Sequence, residues 1–410
     1  MIKFLKKNAK YFVIVLAFLL IPQSLTIQSE LNMRVIATSM AVDYADGEYQ
    51  LSAQVVKAKG IQEGSGADID VVEAKGKTVA DAVGKLGLVL GKTIGLSHIN
   101  VIVLGKKVLE EDKVMEALDY FMRENLVLSN ALLLVSEKEA KETLEKTKKL
   151  QLSSAVGFQK IFLYKQANAS GVMMPLQDFV NDYFKISHSS IISGVEIDEQ
   201  KEEQSSGGGQ SSGGGSGGSS GGSGEKNGRI KHDNKLYLFN SGKYACTIED
   251  EDEVSGIYLA NEKSKEGSIT VEHITNENLE DATVSIYVRD KKAKLIARFE
   301  DGKPKCKLKI TTNRNEITTI EQNGVTQKMY ETGRSLLTDD VISAAENELK
   351  ENVLKAFNKA KDNGVDIMEL GDFLYRESPK KWRAFLAEIG TEDYIKHLEL
   401  EVEVKFNKQL

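Results

Sequence analysis

The stretch from Gly76 to Leu144 decides the fold of the N-terminal half, and it reads GKTVADAVGKLGLVLGKTIGLSHINVIVLGKKVLEEDKVMEALDYFMRENLVLSNALLLVSEKEAKETL. Apolar residues recur at spacings of three and four, then in short unbroken runs, which predicts helix, strand, helix, strand and helix. The predicted elements are a helix capped by Thr78 that carries Val79, Ala82, Val83, Leu86 and Leu90 and ends at Gly91 and Gly95, a strand Asn100–Leu104 closed by Gly105, a helix with Val114, Leu118 and Phe121, a strand Ala131–Val135 and a helix Glu137–Leu150. This order predicts helices packed on one side of a mixed sheet.

The same stretch contains a Gly-Lys-Thr tripeptide, residues 91–93, that looks like part of a phosphate-binding loop. A P-loop has the spacing GxxxxGK[ST] and lies between a strand and a helix, where backbone N–H groups face the phosphates. Here the preceding glycine, Gly87, is one residue too close, and the tripeptide follows a helix, whose C-terminal carbonyls repel phosphate. We therefore interpret Gly91 as a helix end and Lys92 as an exposed residue.

On either side of this stretch, turn residues separate further predicted strands. Asp46-Gly47 lies between the alternating runs Met33–Tyr44 and Glu48–Lys57, which predicts a hairpin. Downstream, Leu176–Phe184 predicts a short amphipathic helix and Ile191–Ile197 a strand.

The second half of the chain first reads as a series of short strands separated by Gly, Asn and Asp. The predicted strands are Leu236–Phe239, Tyr244–Ile248, Ile257–Leu259, Ser268–His273, Thr283–Arg289 and Lys294–Glu300. A β–α–β unit follows, made of a strand pair Lys307–Thr311 and Ile317–Glu321, a long helix from Thr338 to Asn363-Gly364, helices Ile367–Tyr375 and Pro379–Ile389, and a strand Leu398–Phe406.

The fold class that these patterns predict is α+β, with three mixed modules. A Gly/Ser tract at 205–228 cannot bury apolar surface, so it predicts a flexible linker. The expected divisions are a signal or signal-anchor at 1–29, a helix-on-sheet domain at 30–204, the linker at 205–228, a strand-rich middle domain at 229–302 and a β–α–β domain at 303–410.

The N-terminal segment predicts export from the cytoplasm. Four lysines, at positions 3, 6, 7 and 10, precede the apolar run Tyr11–Ile21, which Pro22 ends. A basic region followed by such a run is typical of an export signal, and the run is shorter than the roughly 20 residues of a transmembrane helix. The nearest candidate cleavage site, Ser24-Leu25-Thr26, is a poor match, so we interpret Met1–Ile27 as a signal-anchor or an inefficiently cleaved signal.

Composition and spacing give no support to catalysis, metal binding or nucleic-acid binding. The net charge of −7 argues against a nucleic-acid partner. The histidines are dispersed, with no metal-binding spacing, and they are His98, His188, His232, His273 and His397. No GxSxG motif lies outside the Gly/Ser tract. We expect no cofactor, and we interpret His98 as a core or edge residue rather than as a catalytic base.

The chain has two cysteines, Cys246 and Cys306, and both lie in strand-like contexts. Outside the cytoplasm such a pair can form a disulfide, here by facing each other across a sheet. Two unrelated buried thiols are the alternative, because sequence does not fix the geometry that a bridge needs.

Several stretches resemble the Ger(x)C family, the C-subunits of GerA-type spore germinant receptors. The resemblance lies in Gly91-Lys92-Thr93, Ser97-His98 before the Val101–Val103 strand, Gly105, the helix Leu118–Glu124, Asn130–Val135, the first strand Leu31–Asp43, Gly256–Val271 and Ala360–Trp382 with its GVDI and GDFLYRESPKKW sequences. From these stretches we take eight signature residues, to which we assign structural roles: Gly91, Lys92, Thr93, Ser97, His98, Gly105, Gly256 and Trp382. The resemblance predicts that Gly256 leads a strand and that a second glycine leads the following ITV strand.

The resemblance implies a non-enzymatic subunit on the outer face of the inner spore membrane, needed for the response to nutrient germinants. Its implied partners are the membrane and the A- and B-type receptor subunits. Members of the family usually carry a lipid-anchoring cysteine directly after the signal. This chain has no cysteine at that place, which favours a hydrophobic signal-anchor instead. The same departure supports the alternative of a vegetative cell-surface binding or scaffold module built on the same fold.

Overall fold

The computed structural model describes residues 34–57, 68–123, 129–149, 171–198, 229–231, 234–327, 337–390 and 393–407. The predicted signal at 1–29 and the predicted linker at 205–228 lie outside the described residues. Among the helices in the described ranges, none has both the length and the apolar character that crossing a bilayer requires.

The N-terminal half is built on a mixed sheet. Its strands are β1 (Arg34–Ala45), β2 (Glu48–Lys57), β3 (Asp68–Gly76), β4 (Thr93–Gly95), β5 (Val101–Gly105), β6 (Leu132–Ser136) and β7 (Met174–Pro175). The order is β3-β2-β1-β5-β6-β7, with β4 parallel to the start of β1. Asp46 and Gly47 both have positive φ between β1 and β2, as a two-residue hairpin turn requires, so the predicted hairpin is confirmed.

Helices cover both faces of this sheet. They are α1 (Val79–Leu90), α2 (Lys106–Glu110), α3 (Val114–Arg123), α4 (Ala140–Lys149) and α5 (Leu176–Tyr183). Ile102 and Leu104 of β5 pack in one cluster with residues of α1, α2, α3 and α5, whereas Val101 and Val103 pack with Leu144 of α4. Successive strand residues face opposite sides, so the prediction of helices on one side is wrong. A strand buried on both faces reads only as an apolar run and does not reveal this.

A three-stranded sheet joins the segments before and after the predicted linker. The short strands of this region are β8 (Ser189–Ser193), β9 (Glu196–Asp198), β10 (Arg229–Lys231), β11 (Leu236–Asn240) and β12 (Lys243–Ile248). β11 lies between β12 and β8, and β9 pairs with β10. The ring of Phe239 on β11 packs against Phe179 of α5 with centroids 5.3 Å apart, so this sheet contacts the N-terminal half directly.

The segment predicted as a strand at Ile257–Leu259 is a helix. Helix α6 (Glu251–Ala260) begins at Asp250, whose carboxylate accepts hydrogen bonds from the N–H groups of Asp252 and Glu253. Its first turn is acidic, which favours a helix N-terminus. The prediction was wrong because a three-residue apolar window cannot show the helical period.

The second large sheet contains two long strands where four short ones were predicted. Its antiparallel strands are β13 (Gly267–Ile274), β14 (Ala282–Glu300), β15 (Lys303–Gln322) and β16 (Val325–Gln327), in that order across the sheet. The polar residues that read as breaks lie within the β14–β15 ladder. There Asp290 has positive φ and its carboxylate accepts a 2.8 Å hydrogen bond from Nδ2 of Asn313.

The chain ends in a β–α–β unit, as predicted. After β15 come α7 (Asp339–Asp362), α8 (Leu370–Glu377), α9 (Pro379–Ile389), a 3₁₀ turn (Tyr394–His397) and β17 (Leu400–Phe406), which pairs in parallel with β15. The predicted domain division at 302/303 falls in the β14–β15 hairpin turn, so residues on its two sides share one sheet and one core.

Candidate functional site

A cavity of about 500 Å³ lies where α5 and β8 meet α6 and the turn before α8. Its apolar lining includes Met174, Ile257 and Phe373. Its charged lining includes Lys185 and Glu369, which come from segments far apart in sequence. The cavity therefore lies at the junction between the two halves of the chain.

The charges at this junction compensate one another. Nζ of Lys185 lies 2.8 Å from Oδ1 of Asp182 and 2.7 Å from Oε1 of Glu369. Burial lowers the pKa of Lys185, but its hydrogen bonds to both carboxylates outweigh this and raise the pKa to about 12. Burial raises the pKa of Asp182, against the opposing effect of Lys185. Glu369 has positive φ, a conformation that costs free energy in a residue other than glycine.

Asp366 is the most deeply buried acid of the junction, with 1% of its surface exposed. Its carboxylate accepts hydrogen bonds from the N–H groups of Leu370 (2.9 Å) and Gly371 (2.8 Å) at the start of α8 and from the hydroxyl of Tyr394 (2.8 Å). Its own N–H donates to Oγ of Ser189 on β8 at 2.9 Å. Burial raises the pKa of Asp366 to about 6, against the opposing effect of these three donors.

Asp372 adds a second carboxylate contact between the halves. Its Oδ1 accepts from the N–H of Ile186 and its Oδ2 from the N–H of Ser187, each at 3.0 Å. We call Asp366, Glu369 and Asp372 the latch carboxylates. The side chains of Glu369 and Asp372 bind the segment 185–189 of the N-terminal half. Asp366 binds this segment through its backbone N–H, while its carboxylate holds the start of α8. Asp366 is the aspartate of GVDI, Asp372 is that of GDFLYRES, and Glu369 lies between these two sequences, so the latch falls within the stretch Ala360–Trp382 that carries the family resemblance.

Trp382, the signature residue of α9, supports the latch through packing. It is 2% exposed, and its ring lies 5.0 Å from that of Tyr394 in an edge-to-face arrangement. A Cβ at Gly371 would lie 2.6 Å from the Tyr394 hydroxyl, so only glycine fits there without a shift. Trp382 and Gly371 together fix the hydroxyl that donates to Asp366.

The Gly-Lys-Thr tripeptide is a helix end, as predicted. Gly91 caps α1 with a φ of 61°. The N–H groups of Gly91 and Lys92 donate to carbonyls of Leu88 and Gly87, each at 3.2 Å. These amides are consumed by the helix and do not face outward to receive a phosphate.

Ser97 and His98 lie exposed in the turn before β5. The contact of His98 is made by its backbone carbonyl, which accepts from Nδ2 of Asn100 at 2.9 Å. The structure brings neither residue to the junction cavity, which is lined by other parts of the chain.

Gly105 packs against a buried carboxylate that sequence reasoning missed. Asp43 of β1 accepts hydrogen bonds from the N–H groups of Ala140 (2.7 Å) and Lys141 (3.0 Å) at the start of α4. Burial raises its pKa to about 6, against the opposing effect of those two amides. A Cβ at Gly105 would lie 2.0 Å from Oδ1 of Asp43, so glycine is required beside this cap. The sequence signal that could have revealed this residue was a single acidic side chain within a mainly apolar strand.

Gly256 permits a close helix crossing. It lies on α6, where a Cβ would come within 2.7 Å of the backbone carbon of Asn352 and 2.8 Å of the backbone nitrogen of Val353 on α7. Since both neighbours are backbone atoms, a side chain could be accommodated only by moving a helix. The role of Gly256 is helix packing and not the start of a strand.

The two cysteines lie on strands of different sheets. Cys246 is on β12, opposite Leu238, and Cys306 is on β15, opposite Ala297. Both thiols are free, and the expectation that they face each other across one sheet is wrong. Burial raises the pKa of both thiols, that of Cys306 to about 12, which makes them poor nucleophiles.

The buried lysine Lys291 is a further residue that sequence reasoning missed. Its Nζ donates to the backbone carbonyl of Asn261 at 2.8 Å, just beyond the C-terminus of α6, and burial lowers its pKa to about 8. This is the contact of a helix-capping lysine. Among the described residues, no group of three or more His, Cys, Asp or Glu has an arrangement that could hold a metal ion.

Comparison with known proteins gives matches in both halves. The family model of the spore germination protein N-terminal domain matches residues 28–197, and that of the spore germination B3/GerAC-like C-terminal domain matches residues 234–408. Spore germination protein KC of Bacillus subtilis (strain 168) is 19% identical over 387 residues, which cover 92% of this chain and 89% of that protein. The crystal structure of the GerBC protein is 15% identical with a TM-score of 0.47, over 90% of this chain and 97% of that one.

Proposed function

Because the chain belongs to the Ger(x)C family of spore germinant receptor C-subunits, we propose that it is a non-enzymatic, membrane-tethered subunit on the outer face of the inner spore membrane. In this role it assembles with A- and B-type subunits and is needed for the response to nutrient germinants. The observation that carries the proposal is the match of both family models, in order, to the two halves of the chain.

The use of the latch carboxylates supports a structural role. Asp366 and Asp372 bind backbone N–H groups, and Glu369 binds Lys185. Groups committed in this way are not available as a general base or a nucleophile. The side chains of Glu369 and Asp372 and the backbone N–H of Asp366 join residues 185–189 to the start of α8, so a partner bound to one half is coupled mechanically to the other. An adaptor between receptor subunits needs this property.

The tether is assigned to the N-terminal segment. Its four lysines precede the apolar run Tyr11–Ile21, and β1 begins at Arg34. Lysines on the cytoplasmic side of an apolar segment favour an orientation in which the folded part lies outside.

Deleting the gene in the spore-forming host tests the proposal. We expect mutant spores to lose the fall in optical density that follows nutrient addition while still responding to a nutrient-independent trigger. A wild-type copy should restore the response, and a copy with the exposed substitution Val325→Asp should do so equally. Mutant spores that germinate normally with every nutrient would contradict the proposal, and expression confined to vegetative cells would favour the surface-module alternative.

Affinity capture of the full chain from membranes of sporulating cells tests the partners. We expect an A- or a B-type subunit to be recovered with it. Recovery of neither, under conditions that preserve other membrane complexes, would contradict the assembly role.

A further inference from the structure

The last turn of α1 exposes two large aliphatic side chains. Leu88 is 81% exposed and Val89 is 66% exposed. The helix already buries Val79, Ala82 and Leu86 against the sheet. Leu88 is two residues, or about 200°, from Leu86, so it points away from the core. A solvent-facing helix position ordinarily carries a polar residue, and packing among the residues that the structure describes does not account for leucine here.

This apolar pair lies beside the point where the chain enters the fold. Arg34, the first residue of β1, pairs with Thr93 at the start of β4, only four residues after Val89. Neighbouring strands are about 4.8 Å apart. The exposed pair is therefore within about 15 Å of the entering chain, given the rise of a helix and of extended backbone.

The membrane lies close to this entry point if the proposed tether is correct. Twelve residues, 22–33, separate the apolar run Tyr11–Ile21 from Arg34. Fully extended, they span at most about 40 Å, and less in any other conformation. The end of α1 therefore lies within about 55 Å of the bilayer, so contact with the bilayer surface is within its reach.

The charge beside the apolar pair fits an anionic surface. Lys92 is exposed and makes no ion pair within the part of the chain that the structure describes. Lys85, one turn earlier, is also exposed and lies 2.8 Å from Asp81. Aliphatic side chains flanked by lysine are typical of protein surfaces that lie in the interface of an anionic membrane.

We infer that Leu88 and Val89 insert into the headgroup region of the anionic bilayer that anchors the chain, with Lys92 at the lipid phosphates. This rests on the proposed membrane tether and adds a second contact that fixes the orientation of the N-terminal sheet on the surface. A single weak anchor leaves a protein free to rotate, whereas two contacts hold one face toward the lipid.

The test uses the full chain in vesicles of phosphatidylglycerol and phosphatidylcholine, with and without bromine on the acyl chains. Leu88→Trp and Val325→Trp each replace an exposed aliphatic side chain, and Val325 is 64% exposed on β16 of the other large sheet. The native Trp382 is buried and gives the same background in both variants. Bromine quenches tryptophan on contact, so we expect about twofold lower emission for Leu88→Trp in brominated vesicles and no change beyond background for Val325→Trp.

Co-flotation with the vesicles separates this inference from the proposed function. If both variants float and are quenched equally, the tether stands and the apolar contact is overturned. If neither floats, the tether itself fails, and the contact with it. Quenching of Leu88→Trp in vesicles that vanishes when phosphatidylglycerol is omitted would support the role of Lys92. If the side chain at position 88 becomes shielded from solvent only after a receptor subunit is added, its contact is with that protein and the lipid contact is overturned.

Discussion

The two stretches that carry the family resemblance most clearly differ in what they do. Gly91, Lys92 and His98 of the N-terminal stretch are exposed, and their contacts are local hydrogen bonds within the helix end and the next turn. Asp366 and Trp382 of the C-terminal stretch are buried, and the latch reaches about 180 residues back along the chain. A recognisable motif is therefore no measure of energetic weight. The contribution of a residue to stability follows from its burial and from the number of hydrogen-bonding groups that it satisfies.

The largest difference should appear when the buried carboxylate of Asp366 is removed. Asp366→Ala removes the acceptor of two backbone N–H groups and of the Tyr394 hydroxyl, all in the interior. Leaving several buried donors unsatisfied should lower the free energy of unfolding by about 4 kcal/mol. Urea denaturation measures this. Asp178→Ala, at an exposed carboxylate beside the same cavity, is the control and should change stability by less than about 0.5 kcal/mol. Similar losses in both variants would refute the structural role assigned to the Asp366 carboxylate.

Buried carboxylates in both halves should make the protein less stable at neutral than at mildly acidic pH. The pKa values of Asp43 and Asp366 are raised from 3.8 to about 6, chiefly by burial. Between these values the folded state binds more protons than the unfolded state, so stability falls as pH rises. As the pH rises from 4 to 7, each of these two carboxylates lowers the free energy of unfolding by up to about 3 kcal/mol. Asp43→Asn and Asp366→Asn should each flatten the pH profile of unfolding free energy, and profiles parallel to wild type would reject the assignment.

Two glycine-to-alanine substitutions compare the halves at matched chemistry. Gly256→Ala places a methyl group against the backbone of α7 and should destabilise by about 2 kcal/mol through overpacking. Gly84→Ala, on α1, meets no atom within 4 Å and should stabilise by about 0.5–1 kcal/mol, since alanine favours helix. The denaturation midpoints of the two variants, compared at an unchanged m-value, give the sign of each change in stability. Destabilisation by both would mean that α1 carries a contact beyond those described here.

Sequence patterns sufficed where a signal was local. Helix α1 is capped by Thr78 and Gly91, as predicted, and Asp46-Gly47 forms the turn of the predicted hairpin. Patterns failed where long-range pairing decided the outcome. The β14–β15 ladder continues through polar residues because each strand has a partner, and α6 is helical within a region that reads as strands.

The contacts of the latch could not be predicted from the sequence for a similar reason. Asp366 and Asp372 look like two acids among many in a charged segment, and the sequence does not show that residues 185–189 pack over them. Asp43 was missed although it stands alone in an apolar strand, because its partners are backbone amides nearly 100 residues away.

The smallest effects should come from the exposed side chains of the N-terminal stretch, which includes the Gly-Lys-Thr motif that first suggested a phosphate site. Lys92→Ala and His98→Ala remove exposed side chains, so each should change the free energy of unfolding by less than about 0.5 kcal/mol. Gly91→Ala, within the same motif, should cost about 1 kcal/mol because a Cβ disfavours its left-handed conformation. Phosphate at millimolar concentration should not raise the melting temperature of any of these proteins. A phosphate-dependent rise in wild type that Lys92→Ala abolishes would reverse our interpretation, since it would require backbone amides that α1 already uses to be free for a ligand.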